Sequence, residues 1–188
     1  MPAGVQLNNL NLGILFDGYG GYSHIFLLGI QGYSIPLTYV VPGNLSLDYH
    51  MYAYLAYGYN SYYALTGHGG FVYVPSYSPV NLLRPADNDS ADYNTEFYYS
   101  GNGKVHVTKF YASTNYSNYE FSIVSDNDSV RLPLLPFFGI ILPAGTQFTW
   151  SVRRYNDFAN VNEFVSDKRN SILRFNTTWS GSRYFYLK

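Results

Sequence analysis

Gln147-Phe148-Thr149-Trp150-Ser151-Val152-Arg153 is the stretch that decides the fold. Bulky apolar side chains at 148, 150 and 152 alternate with polar ones at 147, 149, 151 and 153. A period of two gives a strand one dry face and one wet face. Phe148, Trp150 and Val152 are therefore expected in a core, and Gln147, Thr149 and Ser151 toward solvent or a neighbouring subunit. The same period recurs at Leu10, Leu12, Ile14 and Phe16, at Leu45, Leu47, Tyr49 and Met51, and at Val105 and Val107, which alternate with Lys104, His106 and Thr108. It recurs again at Leu173, Phe175 and Trp179, against Arg174, Asn176 and Thr178. Further strands are expected at His24–Ile30, Ser34–Val40, Tyr52–Tyr59, Phe71–Val74, Glu96–Tyr99, Glu120–Ser125, Phe137–Ile141 and Arg183–Leu187.

Between the strands lie turn signals. Gly101-Asn102-Gly103 is expected to close a hairpin between Glu96–Tyr99 and Lys104–Tyr111. Gly18-Tyr19-Gly20-Gly21, Pro42-Gly43-Asn44, Gly67-His68-Gly69-Gly70 and Pro143-Ala144-Gly145 mark other reversals. Ser76 to Asn94, polar and broken by Pro79 and Pro85, reads as a long loop. Helical spacing occurs only in Asp157–Leu173, at Phe158, Val161, Phe164 and Val165. Many short strands with Gly/Pro turns imply an all-β chain, an antiparallel β-sandwich with at most one or two short helices. It is expected as a single domain over residues 1–188, with 1–16 as an N-terminal arm or edge strand.

The composition narrows the function. Among 188 residues are 22 tyrosines, 13 phenylalanines and no cysteine, and only 12% are charged, where ordinary domains carry roughly 25%. A surface wetted by hydroxyls and amides keeps its hydration when carboxylates protonate, and tyrosine supplies stiff amphipathic contact area. This points to an assembly or exterior protein, suited to an acidic habitat. Without cysteine there is no disulfide framework and no thiolate metal site. The net charge of −1 gives no global attraction to nucleic acid or membrane. Before Arg84 there is no Lys or Arg, and Arg153, Arg154, Lys168, Arg169, Arg174, Arg183 and Lys188 make the C-terminal fifth mildly basic. Met1-Pro2-Ala3-Gly4-Val5-Gln6 lacks a basic region followed by an apolar run, so a product made without a signal peptide is expected. The greasiest window, Leu132 to Leu142, holds Pro133, Pro136 and Gly139 and falls short of the ~20 apolar residues of a spanning helix.

Residues that carry chemistry are sparse. His24, His50, His68 and His106 have no ligand-like spacing, and His50 and His106 fall on the polar side of their strands, where exposure is expected. No Gly-x-Ser-x-Gly elbow occurs, and the glycine-rich turns lack the Lys of a phosphate cradle. Asp87-Asn88-Asp89-Ser90 and Asp126-Asn127-Asp128-Ser129 offer oxygen ligands, but Asx-turns account for them. Asp17, Asp48, Glu96, Glu120 and Glu163 are the ordered-element carboxylates, with no pair singled out for glycoside hydrolysis. Asn-x-Ser/Thr acceptors stand at Asn44, Asn88, Asn115, Asn127 and Asn176. No catalytic, cofactor or metal residue is assigned, and the chain is expected not to be an enzyme.

Pro-led turns such as Leu142-Pro143-Ala144-Gly145-Thr146-Gln147-Phe148-Thr149-Trp150, eight or more strands and a Tyr/Asn-rich surface give the chain a likeness across most of its length. It resembles the single jelly-roll major capsid proteins of icosahedral (polyhedral) viruses infecting acid- and heat-loving archaea. The resemblance implies a single jelly roll self-assembling into an icosahedral shell, located in the virion after synthesis in the host cytoplasm. It implies copies of itself and other capsid or vertex proteins as partners, without small-molecule substrate, cofactor or active site. The basic C-terminal region would make weak contact with nucleic acid or an inner membrane layer. Two other readings stand beside it. One is an extracellular filament or surface-layer subunit that donates Leu7–Phe16 to a neighbour's sheet edge. The other is a carbohydrate-binding module in which Trp150, Trp179 or loop tyrosines stack on sugars.

Overall fold

A computed structural model describes residues 9–18, 21–30, 49–57, 60–66, 77–101, 104–114, 117–167 and 176–188. The chain divides into two compact units, Met1–Tyr77 with Arg174–Asn176, and Ser78–Leu173 with Thr177–Lys188. The first contains four antiparallel strands, β1 (Asn9–Gly18), β2 (Gly21–Ile30), β3 (Tyr49–Tyr57) and β4 (Asn60–Thr66). Leu10 to Phe16 pair with β2 on one side and β3 on the other, so β1 is an inner strand. Donating it to a neighbour would first break both ladders. The described parts of the two segments expected at Leu45–Met51 and Tyr52–Tyr59 are one strand, β3, followed by the unforeseen β4. The strands expected at Ser34–Val40 and Phe71–Val74, the turns at Pro42 and Gly67, His68, Asp48, Asn44, Asn115, Lys168, Arg169 and Leu173–Phe175 lie outside the described residues.

The second unit is a β-sandwich. Its strands are β5 (Leu82–Arg84), β6 (Asp89–Ala91), β7 (Glu96–Tyr99), β8 (Val105–Ser113), β9 (Asn118–Ser125), β10 (Ser129–Arg131), β11 (Gln147–Tyr155), β12 (Thr177–Trp179) and β13 (Arg183–Leu187). One sheet centres on β11. It pairs along its whole length with β8, which pairs with β9. Its other edge carries β13 beside Gln147–Trp150 and β12 beside Arg153–Tyr155. β6 joins the far side of β13, in parallel. The facing sheet is β10-β7-β5. β7 and β8 therefore belong to opposite sheets and do not pair with each other as the expected hairpin requires; Asn102 and Gly103 lie outside the described residues. The loop expected over Ser76–Asn94 contains β5 and β6.

The alternation in β11 holds: Phe148, Trp150, Val152 and Arg154 are buried and their neighbours are not. In β8 the two valines differ: Val105 is buried as expected and Val107 is not. The inward row is His106, Thr108, Phe110 and Ala112, set by the large Phe110, and Val107 turns outward. β12 is also reversed, with Thr178 buried and Trp179 39% exposed. The reason is polar: Thr178 Oγ1 accepts from Asn156 Nδ2 at 3.0 Å inside, while Arg153 lies 4.2 Å over the Trp179 ring outside. From the facing sheet, Phe97 sends its ring edge-on into Phe110, Phe185 and Trp150 at 4.8, 4.9 and 5.1 Å. Edge-to-face pairs add ~0.5–1.5 kcal/mol each beyond burial.

Two expected elements change form. Phe137–Ile141 is no strand: Leu135–Phe138 is a 3₁₀ turn with Pro136 in its first turn, stopped by Gly139 at φ 74°. The helix in Asp157–Leu173 shrinks to α1, Val161–Ser166. Asn160 caps it by accepting from Glu163 N at 3.0 Å, and the Glu163 carboxylate reaches back to Ala159 N at 2.8 Å, a reciprocal capping arrangement.

The two tryptophans have opposite expected outcomes. Trp150→Ala should cost ~3–5 kcal/mol, whereas Trp179→Ala, which forfeits a part-exposed cation–π contact and the indole N–H bond to Thr177 Oγ1, should cost only ~1–2 kcal/mol. Denaturant titration of the two variants checks this, and equal losses would contradict the reversed register of β12.

Candidate functional site

Two places in the sandwich stand out, one on its surface and one inside it. The surface feature is the connection from β10 to β11. Residues 132–146 contain no Asp, Glu, Lys or Arg. Within it Leu134 is 54% exposed, Phe137 83%, Phe138 66% and Ile141 84%. This is an ordered ridge: Phe137 N donates to Leu134 O, Gly139 N to Pro136 O and Ile140 N to Leu135 O, at 3.0 to 3.1 Å. Leu135 is fully buried beneath it, and Ile140 and Leu142 pack on the core. Phe137 and Phe138 meet edge-on at 5.7 Å. At roughly 150–250 Å² per large side chain, the four exposed residues present on the order of 500 Å² of apolar surface, a size at which monomer patches are often functional.

The interior feature is a buried polar cluster. Along the paired strands β8 and β11 the inward rows run Ala112 with Phe148, Phe110 with Trp150, Thr108 with Val152, and His106 with Arg154. The core thus grades from aromatic to polar. Arg154 donates to Asn156 Oδ1 at 2.9 Å and Ser78 O at 2.6 Å, and more distantly to Gly101 O and Thr178 Oγ1 at 3.5 Å. His106 is wholly buried beside Tyr99, ring centres 4.9 Å apart, and neither ring nitrogen has a hydrogen-bond partner. Burial pushes its pKa down to about 4. The Asp128 carboxylate opposes that shift, Arg154 adds to it, and the nearby carbonyls of Gly101 and Lys104 offset little. Burial likewise raises the Tyr99 hydroxyl, which donates to Asn127 O at 2.9 Å. A Cβ on Gly101 would lie 2.0 Å from Asp128 Oδ1 and 2.6 Å from His106 Cε1. Glycine is needed there for close approach.

His106 was expected on the wet face and is the opposite. The described carboxylates with known side-chain contacts are committed separately. Glu96 accepts from the Tyr98 hydroxyl and from Arg131 at 2.7 Å, which both lower its pKa, and the Glu96 carboxylate in turn raises that of Tyr98. Glu120 pairs with Lys109 at 2.6 Å, and Glu163 caps α1. Asp17 lies in β1 opposite Tyr22. His24 and His50 are the register partners of Leu15 from its two sides. In the first Asp-Asn-Asp-Ser segment Asp87 Oδ1 accepts from Tyr184 N and Asp89 Oδ1 from Ser90 N, both at 2.7 Å. Asn88 there takes a left-handed φ of 63°. In the second, Asn127 N donates to Ser125 Oγ at 3.0 Å and Asp128 O accepts from Tyr99 N at 3.0 Å. Of the acceptor asparagines, Asn88 and Asn127 are exposed and Asn176 is half-buried. Among the described residues no three His, Cys, Asp or Glu side chains gather as metal ligands, and no helix is long and apolar enough to cross a membrane.

The signal for the ridge is present in the apolar run Leu132 to Leu142, of which Phe137–Ile141 is expected as a strand. The signal for the cluster was the parity of His106 with Phe110. No family model matches this chain, and neither the curated proteins nor the solved structures contain a match.

Gly101→Ala should destabilise the fold by ~1–3 kcal/mol through overpacking. Asp128 can swing aside but the buried His106 ring cannot. Chemical denaturation of the variant measures it, and a neutral effect would mean the cluster is looser than its contacts indicate.

Proposed function

We propose that this chain is a structural subunit that self-assembles through neutral, apolar contacts, a capsid protein of the single jelly-roll kind in the virion, without catalytic activity. The observation that carries the reading is the ridge of Leu134, Phe137, Phe138 and Ile141, uncharged, ordered and exposed. The all-β sandwich and the sparse charge of the chain agree with it.

Energetics favours many copies over one pair. Covering on the order of 500 Å² at ~25 cal/mol per Å² gains roughly 10 kcal/mol. Association costs about 4–15 kcal/mol. A single ridge contact is thus near balance, and stability would come from each subunit making several contacts in a closed assembly. Copies of this chain are the proposed occupants of the ridge, with other capsid or vertex proteins as secondary partners. The filament reading would require β1 to leave two ladders. The carbohydrate-module reading loses Trp150 to the core and one face of Trp179 to Arg153.

Electron microscopy of the purified protein should show closed shells; fibres or monomers at high concentration would overturn the reading. Phe137→Ser with Ile141→Ser should abolish assembly while leaving the monomer's denaturation midpoint nearly unchanged, because both side chains are exposed. Neutral contacts feel little Debye screening. Light scattering of assembled particles should therefore stay constant from low salt to ~1 M, and dissociation by moderate salt would show ionic contacts instead.

A further inference from the structure

The buried cluster at the polar end of the sandwich has an arrangement that stability alone does not call for. A histidine is enclosed with both ring nitrogens unsatisfied, a state that costs free energy in the closed fold. Described charged or titratable groups act on it from three sides. Asp128 comes from the loop between β9 and β10, Arg154 from β11, and Tyr99 from β7, in ring contact. The same residues tie down the segments that cover this end. Tyr99 holds the 126–128 loop through its hydroxyl and its amide, to Asn127 O and Asp128 O. Arg154 holds Ser78 O and Gly101 O. The aromatic end, around Phe97, contains none of these groups.

We propose that this end of the sandwich is an acid-operated latch: protonation of His106 opens the Tyr99–Gly101 segment and the Asp126–Asp128 loop while the aromatic core stays closed. A proton on the ring sets a second cation beside buried Arg154, and the nearby Gly101 and Lys104 carbonyls do not offset the loss of hydration. Its available counter-charge is the Asp128 carboxylate, on an exposed residue, so relief lies outward. Opening lets water reach the ring and lets the imidazolium meet Asp128 at the surface. Gly101 allows the two groups to stand this close without pairing in the closed state. The latch belongs to the subunit's own fold and does not depend on assembly.

The sign follows from linkage. The folded pKa lies below the ordinary value of 6.5, at about 4. The closed state is therefore fully favoured well above ~6.5 and loses that advantage as pH falls toward about 4, by roughly eighty-fold in the closing constant between pH 6.5 and 4. Hydrogen exchange of the full chain, corrected for intrinsic rates, reads this locally. Amides of 97–101 and 125–130 should lose protection by about that factor between pH 6.5 and 4, relative to amides of 147–152. His106→Gln should remove the difference. Asp128→Asn, at an exposed position, should move the opening to lower pH because the imidazolium loses its counter-charge. Equal loss over all these segments, persistence of the effect in His106→Gln, or an unshifted midpoint in Asp128→Asn would each overturn the latch. Should His106→Gln fail to fold, the Asp128→Asn midpoint decides alone.

Discussion

The edge of Phe97 in the ring of Phe110, Trp150 and Phe185 is the contact on which the second unit rests. Phe97 comes from a narrow sheet of three short strands and the other three from the wide sheet opposite, so this contact is where the layers meet. Short strands have few ladder hydrogen bonds of their own, and β5, β7 and β10 have three or four residues each. Their place is fixed mainly by what Phe97, Tyr99, Leu82 and Val130 bury. The wide sheet in turn takes its order from β11, which pairs with β8 on one side and with β13 and β12 in sequence on the other.

The same geometry explains the polar end. Once Phe110 and Trp150 are opposite each other, the pleat puts Thr108 with Val152 and His106 with Arg154 on the inward rows. No register keeps Phe110 inside and His106 outside, because a one-residue slip exchanges faces along the entire strand. The sandwich therefore accepts a buried guanidinium, satisfied by Asn156, Ser78 and Thr178, and an unsatisfied imidazole as its neighbour. It does so at the end covered by loops, where backbone carbonyls are available as acceptors.

The legible parts of the sequence were those where one physical signal dominated. In Gln147–Arg153 size and polarity alternate together, and the faces follow from that alone; the buried Arg154 beyond it breaks the pattern. Glu96–Tyr99 and Arg183–Leu187 were also read at their full bounds. In Val105–Ser113 two signals conflict: Val107 argues for one face and the bulk of Phe110 for the other, bulk prevails, and Val105 is buried all the same. Thr178 and Trp179 reverse because a buried hydroxyl serves Asn156 and Arg154 better than an indole would. Three-residue strands such as β6 and β10 carry too few residues for a period to register. Leu132–Leu142 shows the limit most plainly, since hydrophobicity states that a segment avoids water but not whether it does so within its own subunit.

The position of β13 in the sheet has a kinetic consequence. Residues 183–187 lie between β11 and β6. They reach contacts as remote as that of the Tyr184 amide with Asp87, 97 residues apart in the chain. They also bring Phe185, which stacks on Phe148 at 5.0 Å and closes one side of the Phe97 pocket. During synthesis the earlier strands leave the ribosome with that side open, and a long loop must close before the pocket is complete. Folding is then governed by the arrival of a late, distant strand, and until it docks the aromatic faces of β7, β8 and β11 are available to other chains. The interval before that docking is the one in which premature contact between chains is easiest.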